Sequence, residues 1–432
     1  MAVAEARQSD ANQIPDDGII RTVDGTPLKV SLQRALWQRK KTALLLVAPL
    51  FLFILITFMI PIVDMLMRSV DNSIMTEQFP NVVVELRAWD PGSEELPPEA
   101  VFQALFGDFK IGAEKKTISR LGKRLNYEAP GMSSLFRKTA RKIKRMEVPE
   151  AARDAMIKID KKWGKLDVWR LIAREASAYT GSYYLAAVDA EQSPAGEFQM
   201  KDEEEQVYLK LFWRTIRLSI IITALTIILG YPVAFLLANV SVRTSNMLII
   251  LVLLPFWTSL LVRTTSWIAL LQKEGVINDL LVGIGLIGDD GRLTMIHNET
   301  GTIIAMTHIL LPFMILPLFS VMKTIPPSWM RAARSLGATP FTAFRRVYLP
   351  NTIAGIGAGG ILVFILAIGY YITPALVGGT KGTLISNFIA YHISSSLNWG
   401  LAAALGTLLL LLVLALYILY DKVVGINNMK LG

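Results

Sequence analysis

The chain has 432 residues, 53% hydrophobic and 18% charged, with a mean hydropathy of +0.44 and a net charge of +9. These values exclude a disordered or collagen-like chain and are too apolar for an ordinary soluble protein. Cysteine is absent, which excludes disulfides, thiolate metal sites and cysteine nucleophiles.

Residues 1–41 read as a polar N-terminal tail, without an apolar core long enough for a signal peptide. Arg34, Arg39, Lys40 and Lys41 stand directly before residues 43–62, a run of 20 without charge. A bilayer core takes about 20 apolar residues in a helix, so 42–63 is the first predicted span. Basic flanks mark the cytoplasmic side, which predicts an inside N-terminus.

Residues 64–208 form a long loop, predicted to be a helical domain outside the membrane. Its stretch 110–174 holds 19 basic and 7 acidic residues. Long loops translocate regardless of charge, so this excess does not move the domain inside. Pro149 suits a helix start, and Ala152, Met156, Ile159 and Trp163 share one face. Gly164 fits a helix stop, and Asp167 an N-cap for a helix ending near Gly181. Phe136, Ala140 and Ile143 give another apolar face, ringed by Arg137, Lys138, Arg141, Lys142, Lys144 and Arg145. That basic helix fits anionic lipid, an acidic partner, or a plain solvated face.

Residues 209–425 carry five more predicted spans, near 213–240, 246–271, 300–322, 353–374 and 401–420, leaving 426–432 as a C-terminal tail. Lipid cannot satisfy backbone polar groups, so the spans must be helices. The loop between the third and fourth spans is acidic and the next is basic, placing both termini inside. No Asp or Glu falls within a span, so a carboxylate proton relay has no candidate. Arg263 either lines a polar cavity or snorkels to the outer headgroups. His308 is expected to donate a helix–helix hydrogen bond. Gly355, Gly357, Gly359 and Gly360 allow close helix approach. Gly378 and Gly379 form a turn or part of an outer gate.

The basic loop 323–350 reads as helix, turn, helix. Pro327 starts the first helix, Gly337 ends it, Thr339 and Pro340 start the second, and Pro350 breaks before the fifth span. No phosphate loop is present; the segment 378–382 has the wrong spacing. The three histidines are scattered, and no zinc, calcium or triad pattern appears. A membrane chain without its own energy-converting motif points to a channel or a transport subunit driven by another protein.

Loop 323–350 resembles the coupling loop of ABC importer permeases, through Ala332, Ala333, Gly337, Leu349 and Pro350, with Arg331 where the family has Glu. The run Leu-Leu-Pro-Phe-Trp-Thr-Ser-Leu-Leu-Val-Arg-Thr at 253–264, Gly275-Val-Ile-Asn278 and Tyr371-Ile-Thr-Pro-Ala-Leu-Val-Gly-Gly-Thr380 are similar to the first permease of spermidine/putrescine-type importers. The resemblance covers roughly residues 205–425. It implies an all-α membrane protein with six transmembrane helices and an extracytoplasmic insertion between the first two, in a bacterial inner membrane. It implies a second permease, two ABC ATPase subunits carrying ATP and Mg2+, and a periplasmic solute-binding protein, with no cofactor on this chain and no nucleic acid. Trp329, Arg331, Ala332, Ala333, Leu336, Gly337, Leu349 and Pro350 would couple to the ATPase. Trp257, Thr258, Arg263, Tyr370, Tyr371 and Thr373 are pathway candidates, the aromatics alternatively forming an interfacial belt. The solute expected is a polyamine; an opine, an amino acid or another small organic molecule is the alternative. A lone channel, a secondary carrier and a membrane anchor are the other classes.

Overall fold

The computed structural model describes residues 27–193 and 197–424, so most of the N-terminal tail and the tail 426–432 lie outside it. The chain divides into two units, residues 1–65 and 66–432, each taken by itself. Helix α1 begins the described chain at Leu28 and runs to Arg68, with no buried residue in Leu28–Ile54. Leu44, Leu45 and Leu46 are more than 70% exposed, as a lipid-facing helix requires.

The insertion folds as small helices α2 (Ser73–Gln78), α3 (Pro80–Glu85), α4 (Glu99–Glu114), α5 (Ile118–Asn126), α6 (Met132–Ile143), α7 (Ala152–Ile159), α8 (Leu166–Arg174) and α9 (Ser182–Ala187). An antiparallel hairpin follows, β1 (Ala190–Gln192) with β2 (Phe198–Met200), and an isolated bridge pairs Asp71 with Tyr179; these are the departures from all-α among the described residues. The domain has its own aromatic core of Phe79, Phe102, Phe106, Phe109, Phe136, Trp163 and Trp169. Both indoles are satisfied: Trp163 Nε1 donates to Thr139 Oγ1 at 3.0 Å and Trp169 Nε1 to the Trp163 carbonyl at 2.8 Å. Asp108, from α4, accepts from the Asn81 and Val82 amides at 3.1 and 3.0 Å, capping α3 from outside.

The predicted helix starts here shift. Ala151, not Pro149, precedes α7, and Asp167 lies inside α8, whose N-cap is Lys165. Gly164 ends a 3-10 turn, Lys161–Gly164, started by Asp160, which accepts from the Lys162 amide. Helix α8 stops at Arg174, short of Gly181, and Glu175 turns into a buried ion network.

The permease core is α10 (Tyr208–Asn239), α11 (Val242–Leu253), α12 (Leu260–Leu271), α13 (Val276–Gly283), α14 (Glu299–Thr324), α15 (Pro327–Ser335), α16 (Pro340–Ala343), α17 (Leu349–Gly369), α18 (Ile372–Val377), α19 (Gly379–Gly382), α20 (Ile385–Ser394) and α21 (Trp399–Val424). Five helices are long and apolar enough to cross a membrane, and a sixth crossing exists if the bent pair Val242–Trp257 and Leu260–Gly283 counts as one. The straight span expected near 246–271 is therefore broken by a 93° bend. Pro255 lacks an N–H and sits in a 3-10 turn, and Thr258 and Ser259 are non-helical, with ψ of 147° and 142°.

Helices α10, α14 and α17 form the apolar centre, through Leu218, Ile222, Leu310, Met314, Leu318 and Val363. A Cβ on Gly359 would stand 2.7 Å from Met314 Sδ and 3.2 Å from its carbonyl oxygen, and one on Gly355 3.1 Å from Val321 Cβ. Gly360 leaves 4.0 Å to its nearest neighbour, so Gly355 and Gly359 make the close seam and Gly360 does not. Pro350 does not break the chain before α17. A π turn at Phe344–Tyr348 leads straight into α17, and another at Leu55–Met59 precedes Pro61 in the same way. Each wider turn relieves the clash between a proline ring and the carbonyl four residues before it.

Candidate functional site

The loop between α14 and α17 is helix, turn, helix as the sequence predicts, except at Pro350. Pro326 and Pro327 open α15. Gly337 ends it in the left-handed region at φ 89°. Its amide donates to the Arg334 carbonyl at 3.0 Å, and the Ala338 amide donates to that of Ala333 at 3.1 Å. This pair of bonds is the Schellman stop, which satisfies carbonyls that the helix end would strand. Thr339 Oγ1 then accepts from the Thr342 amide at 3.2 Å, capping α16.

The loop presents Trp329 (46% exposed), Leu336 (89%) and Phe341 (71%) outward. Arg331, Ala332 and Pro350 are exposed, with Ala333 and Leu349 half-buried. Arg331 forms no ion pair among the described residues. Its rear is fixed: Phe344 packs at 6.1 Å from Tyr231 and 6.0 Å from Phe235, and Tyr348 at 5.2 Å from Phe235, ring centre to ring centre. The loop thus carries an exposed apolar ridge on an aromatic footing.

A second polar group lies where α12, α14 and α18 meet. Thr264 and Thr373 share a buried hydrogen bond of 3.2 Å. Trp267 Nε1 donates to His308 Nδ1 at 3.1 Å. His308 thus bridges two helices as expected, but as acceptor rather than donor, because an indole nitrogen can only donate. Arg263, one turn before Trp267, acts electrostatically on His308 and Tyr370, and its buried Nε has no hydrogen-bond partner. The break at Tyr370 and Tyr371 frees two carbonyls, which Ser386 Oγ and Asn387 Nδ2 satisfy at 2.6 and 2.7 Å.

Of the sequence candidates, Arg263, Tyr370 and Thr373 are brought together. Tyr371 is 48% exposed beside them. Trp257 is 75% exposed at the bend, and Thr258 turns its hydroxyl to the Pro255 carbonyl, so neither joins the group. Sequence reasoning missed Trp267, Ser386 and Asn387. The one-turn spacing of Arg263 and Trp267 was the available signal; the partners from α20 left none.

The glycines at 378 and 379 are a packed junction. Gly379 has φ 55°, and a Cβ there would stand 2.4 Å from the His297 carbonyl oxygen; one on Gly382 would stand 2.6 Å from that of Asn298. Arg214 donates to the Thr380 carbonyl at 3.0 Å, and Arg217 pairs with Glu299 at 2.5 Å. The insertion is mounted nearby. Tyr183 packs beside Ala404 and Leu405 of α21. Lys123 Nζ and Tyr127 OH donate to the Ser396 carbonyl at 2.7 and 2.9 Å. Under Tyr183, Arg124 binds Glu128 and Glu175 at 2.7 and 2.9 Å. Burial pushes the Tyr183 hydroxyl up to about 12, against the pull of Arg124.

Residues 216–424 match the family model described as "binding-protein-dependent transport system inner membrane component". The spermidine/putrescine transport system permease protein PotB of Haemophilus influenzae is 34% identical over 224 residues, covering 52% of this chain and 78% of that protein. Its Escherichia coli counterpart is 30% identical over 226 residues, covering 52% and 82%. The Escherichia coli inner membrane ABC transporter permease protein YdcU is 35% identical over 222 residues, covering 49% and 70%. Among solved structures, a bacterial ABC transporter that imports alginate aligns with TM-score 0.42 and 18% identity, covering 53% and 82%. On its sequence match to these relatives, the chain belongs to the binding-protein-dependent transport system inner membrane components, the multi-pass permease subunits of ABC importers.

Proposed function

We propose that this permease imports a polyamine such as spermidine or putrescine, driven by ATPase subunits that grip loop 323–350. The observation that carries the coupling role is the exposed ridge of Trp329, Leu336 and Phe341 around the left-handed Gly337. The polyamine reading is supported by the relatives named for spermidine and putrescine transport at 30–34% identity. In this reading the termini and loop 323–350 are cytoplasmic and the insertion is periplasmic. A second permease, two ATPases holding ATP and Mg2+, and a periplasmic solute-binding protein complete the assembly. The sequence carries no phosphate-loop motif, and in this reading the chain acts by switching between two arrangements that the ATPases bias. Arg263, Tyr370 and Thr373 line the pathway.

One observation favours a second solute class. Arg263, the second ring nitrogen of His308 and the Tyr370 hydroxyl offer donors, and none of the residues brought together here is a carboxylate. Such a group suits a carboxylate-bearing solute better than a bare dication. Uptake of labelled putrescine and of 4-aminobutanoate, a matched pair differing at one end, separates the two. ATP-dependent putrescine uptake lost on deletion of this chain is the expected result. Preferential uptake of 4-aminobutanoate would replace the polyamine with the second class. Unchanged uptake of both in the deletion strain would overturn the importer role.

A further inference from the structure

Helix α6 has two unlike faces. Leu135, Phe136, Thr139 and Ile143 are buried in the insertion's core. Arg137, Arg141 and Lys144, at i, i+4 and i+7, share the opposite face. With Lys116, Ser119 and Ser134 they line a groove of about 610 Å3 floored by apolar side chains. No carboxylate pairs with any of its four cations among the described residues, whereas Lys138 on the flank is taken by Asp160 at 2.7 Å. Arg137 and Arg141 hydrogen-bond only through Nε, each to the carbonyl four residues back, which leaves their terminal nitrogens free. Lys116 turns the chain into the groove at φ 58°, a conformation that lysine rarely adopts.

Helix α5, which borders the groove, touches the loop that leads into a span. Lys123 and Tyr127 of α5 bind the Ser396 carbonyl, in the loop that joins α20 to α21. Ser119, on the groove, is one turn from Lys123, about 6 Å along the helix. Beside Ser396, Leu397 is 56% exposed and Trp399 44%, the latter an amphipathic side chain of the type that settles at a membrane–water boundary. The headgroup layer beyond the hydrocarbon is itself about 5–7 Å thick.

We infer that the groove formed by Lys116, Ser119, Ser134, Arg137, Arg141 and Lys144 binds the anionic phospholipid headgroups of the leaflet on the insertion's own side. Four unpaired cations beside a bilayer face phosphate oxygens, which accept from guanidinium and ammonium groups alike. The hydroxyl of Ser119 adds a neutral donor, that of Ser134 being given to the Gly131 carbonyl at 2.8 Å, and the apolar floor receives the glycerol backbone. The inference is independent of which solute the permease carries.

The absence of native cysteine makes the test direct. Ser134→Cys in the full chain is labelled with bimane and reconstituted in phosphatidylcholine vesicles, with and without about 30 mol% phosphatidylglycerol. Headgroup nitroxide lipids serve as contact quenchers. Quenching is expected to rise at least about twofold with phosphatidylglycerol, and to fall back in about 1 M salt, where the screening length is about 3 Å. Arg137→Gln with Arg141→Gln should abolish the rise; both residues are exposed, so the core stays intact. A label at Glu94→Cys should not respond. Quenching indifferent to phosphatidylglycerol, or a rise that survives the double substitution, overturns the assignment. So does protection of the label by an acidic soluble protein in vesicles whose lipid charge has no effect.

Discussion

Gly337 offers a test of the docking loop in which conformation separates from size. A Cβ added there meets nothing within 4 Å, so no substitution is refused for lack of space. The backbone at φ 89° is what discriminates. Left-handed geometry costs an ordinary L-residue about 1–2 kcal/mol, less for Asn. A cost of that size changes the population of the intact turn by a factor of about 5–30. Gly337→Asn should therefore retain most activity, Gly337→Ala should lose several-fold, and Gly337→Val should lose most. Membrane insertion should be equal for all three, because Gly337 itself lies outside the packed core. ATPase co-purification and ATP-driven uptake, each normalised to membrane-inserted protein, are the assays. Losses that follow side-chain volume, with Asn worse than Ala, would refute the conformational argument; wild-type uptake by Gly337→Val would sink the coupling role itself.

Adjacent glycines in α17 should respond oppositely: Gly359→Ala pushes a methyl onto Met314 and should cost about 1–3 kcal/mol in thermal unfolding, while Gly360→Ala should be neutral or slightly stabilising. Gly400→Ala would place a Cβ 2.3 Å from the Tyr183 ring, so the insertion should loosen from α21 and its connecting segments become protease-sensitive; equal digestion of variant and wild type would contradict the mount. Asp108→Ala strands the amides of α3 and should destabilise the insertion by about 1–3 kcal/mol. Burial raises the Asp108 carboxyl above its ordinary value, against the hydrogen bonds from Val82 and Asn81. Its contribution to stability is thus full below the unfolded pKa and is lost as pH rises through the raised folded value. Asp108→Asn should flatten that slope in tryptophan-monitored melts, and an unchanged slope would remove Asp108 as its source.

What the sequence disclosed follows the range of the physics involved. The long helices were legible because a bilayer demands an apolar run, and Gly337, Thr339 and Pro340 because caps and left-handed stops are set by a few adjacent residues. The bend at Thr258 was not legible. Its segment is as apolar as a straight span, and Pro255 alone does not set a 93° angle. Pro350 misled for the converse reason: a proline usually ends a helix, but the preceding π turn absorbs it, and no local pattern announces a π turn. At Asp167 and Pro149 good start residues sat near helices that began elsewhere, because burial of Trp163 and Trp169 set the register. The pathway group was half legible, since Arg263 stood out as a charge in an apolar run while Ser386 and Asn387 come from a helix over a hundred residues away.

Helix α10 ties these parts into one mechanical object. Near one end, Tyr231 and Phe235 hold Phe344 and Tyr348 of the docking loop. At the other end, Tyr208 OH meets His392 Nε2 at 2.9 Å, and the Leu209 amide donates to Asp189 of the insertion at 2.7 Å. Both sets of contacts lie on one helix of 32 residues, about 48 Å from end to end at 1.5 Å each. A displacement imposed at the loop must therefore either move the insertion's footing or be absorbed within α10. Pro232 is where the helix is weakest, lacking one backbone bond, and it sits one residue from Tyr231. Bending at that point would leave most of α10, with Gly230 against Met314 and the seam to α14, moving as a unit with the insertion. The arrangement links loop 323–350 to the insertion through one continuous helix, which gives the insertion a reason to be mounted on α10 and α21 rather than hung from flexible linkers.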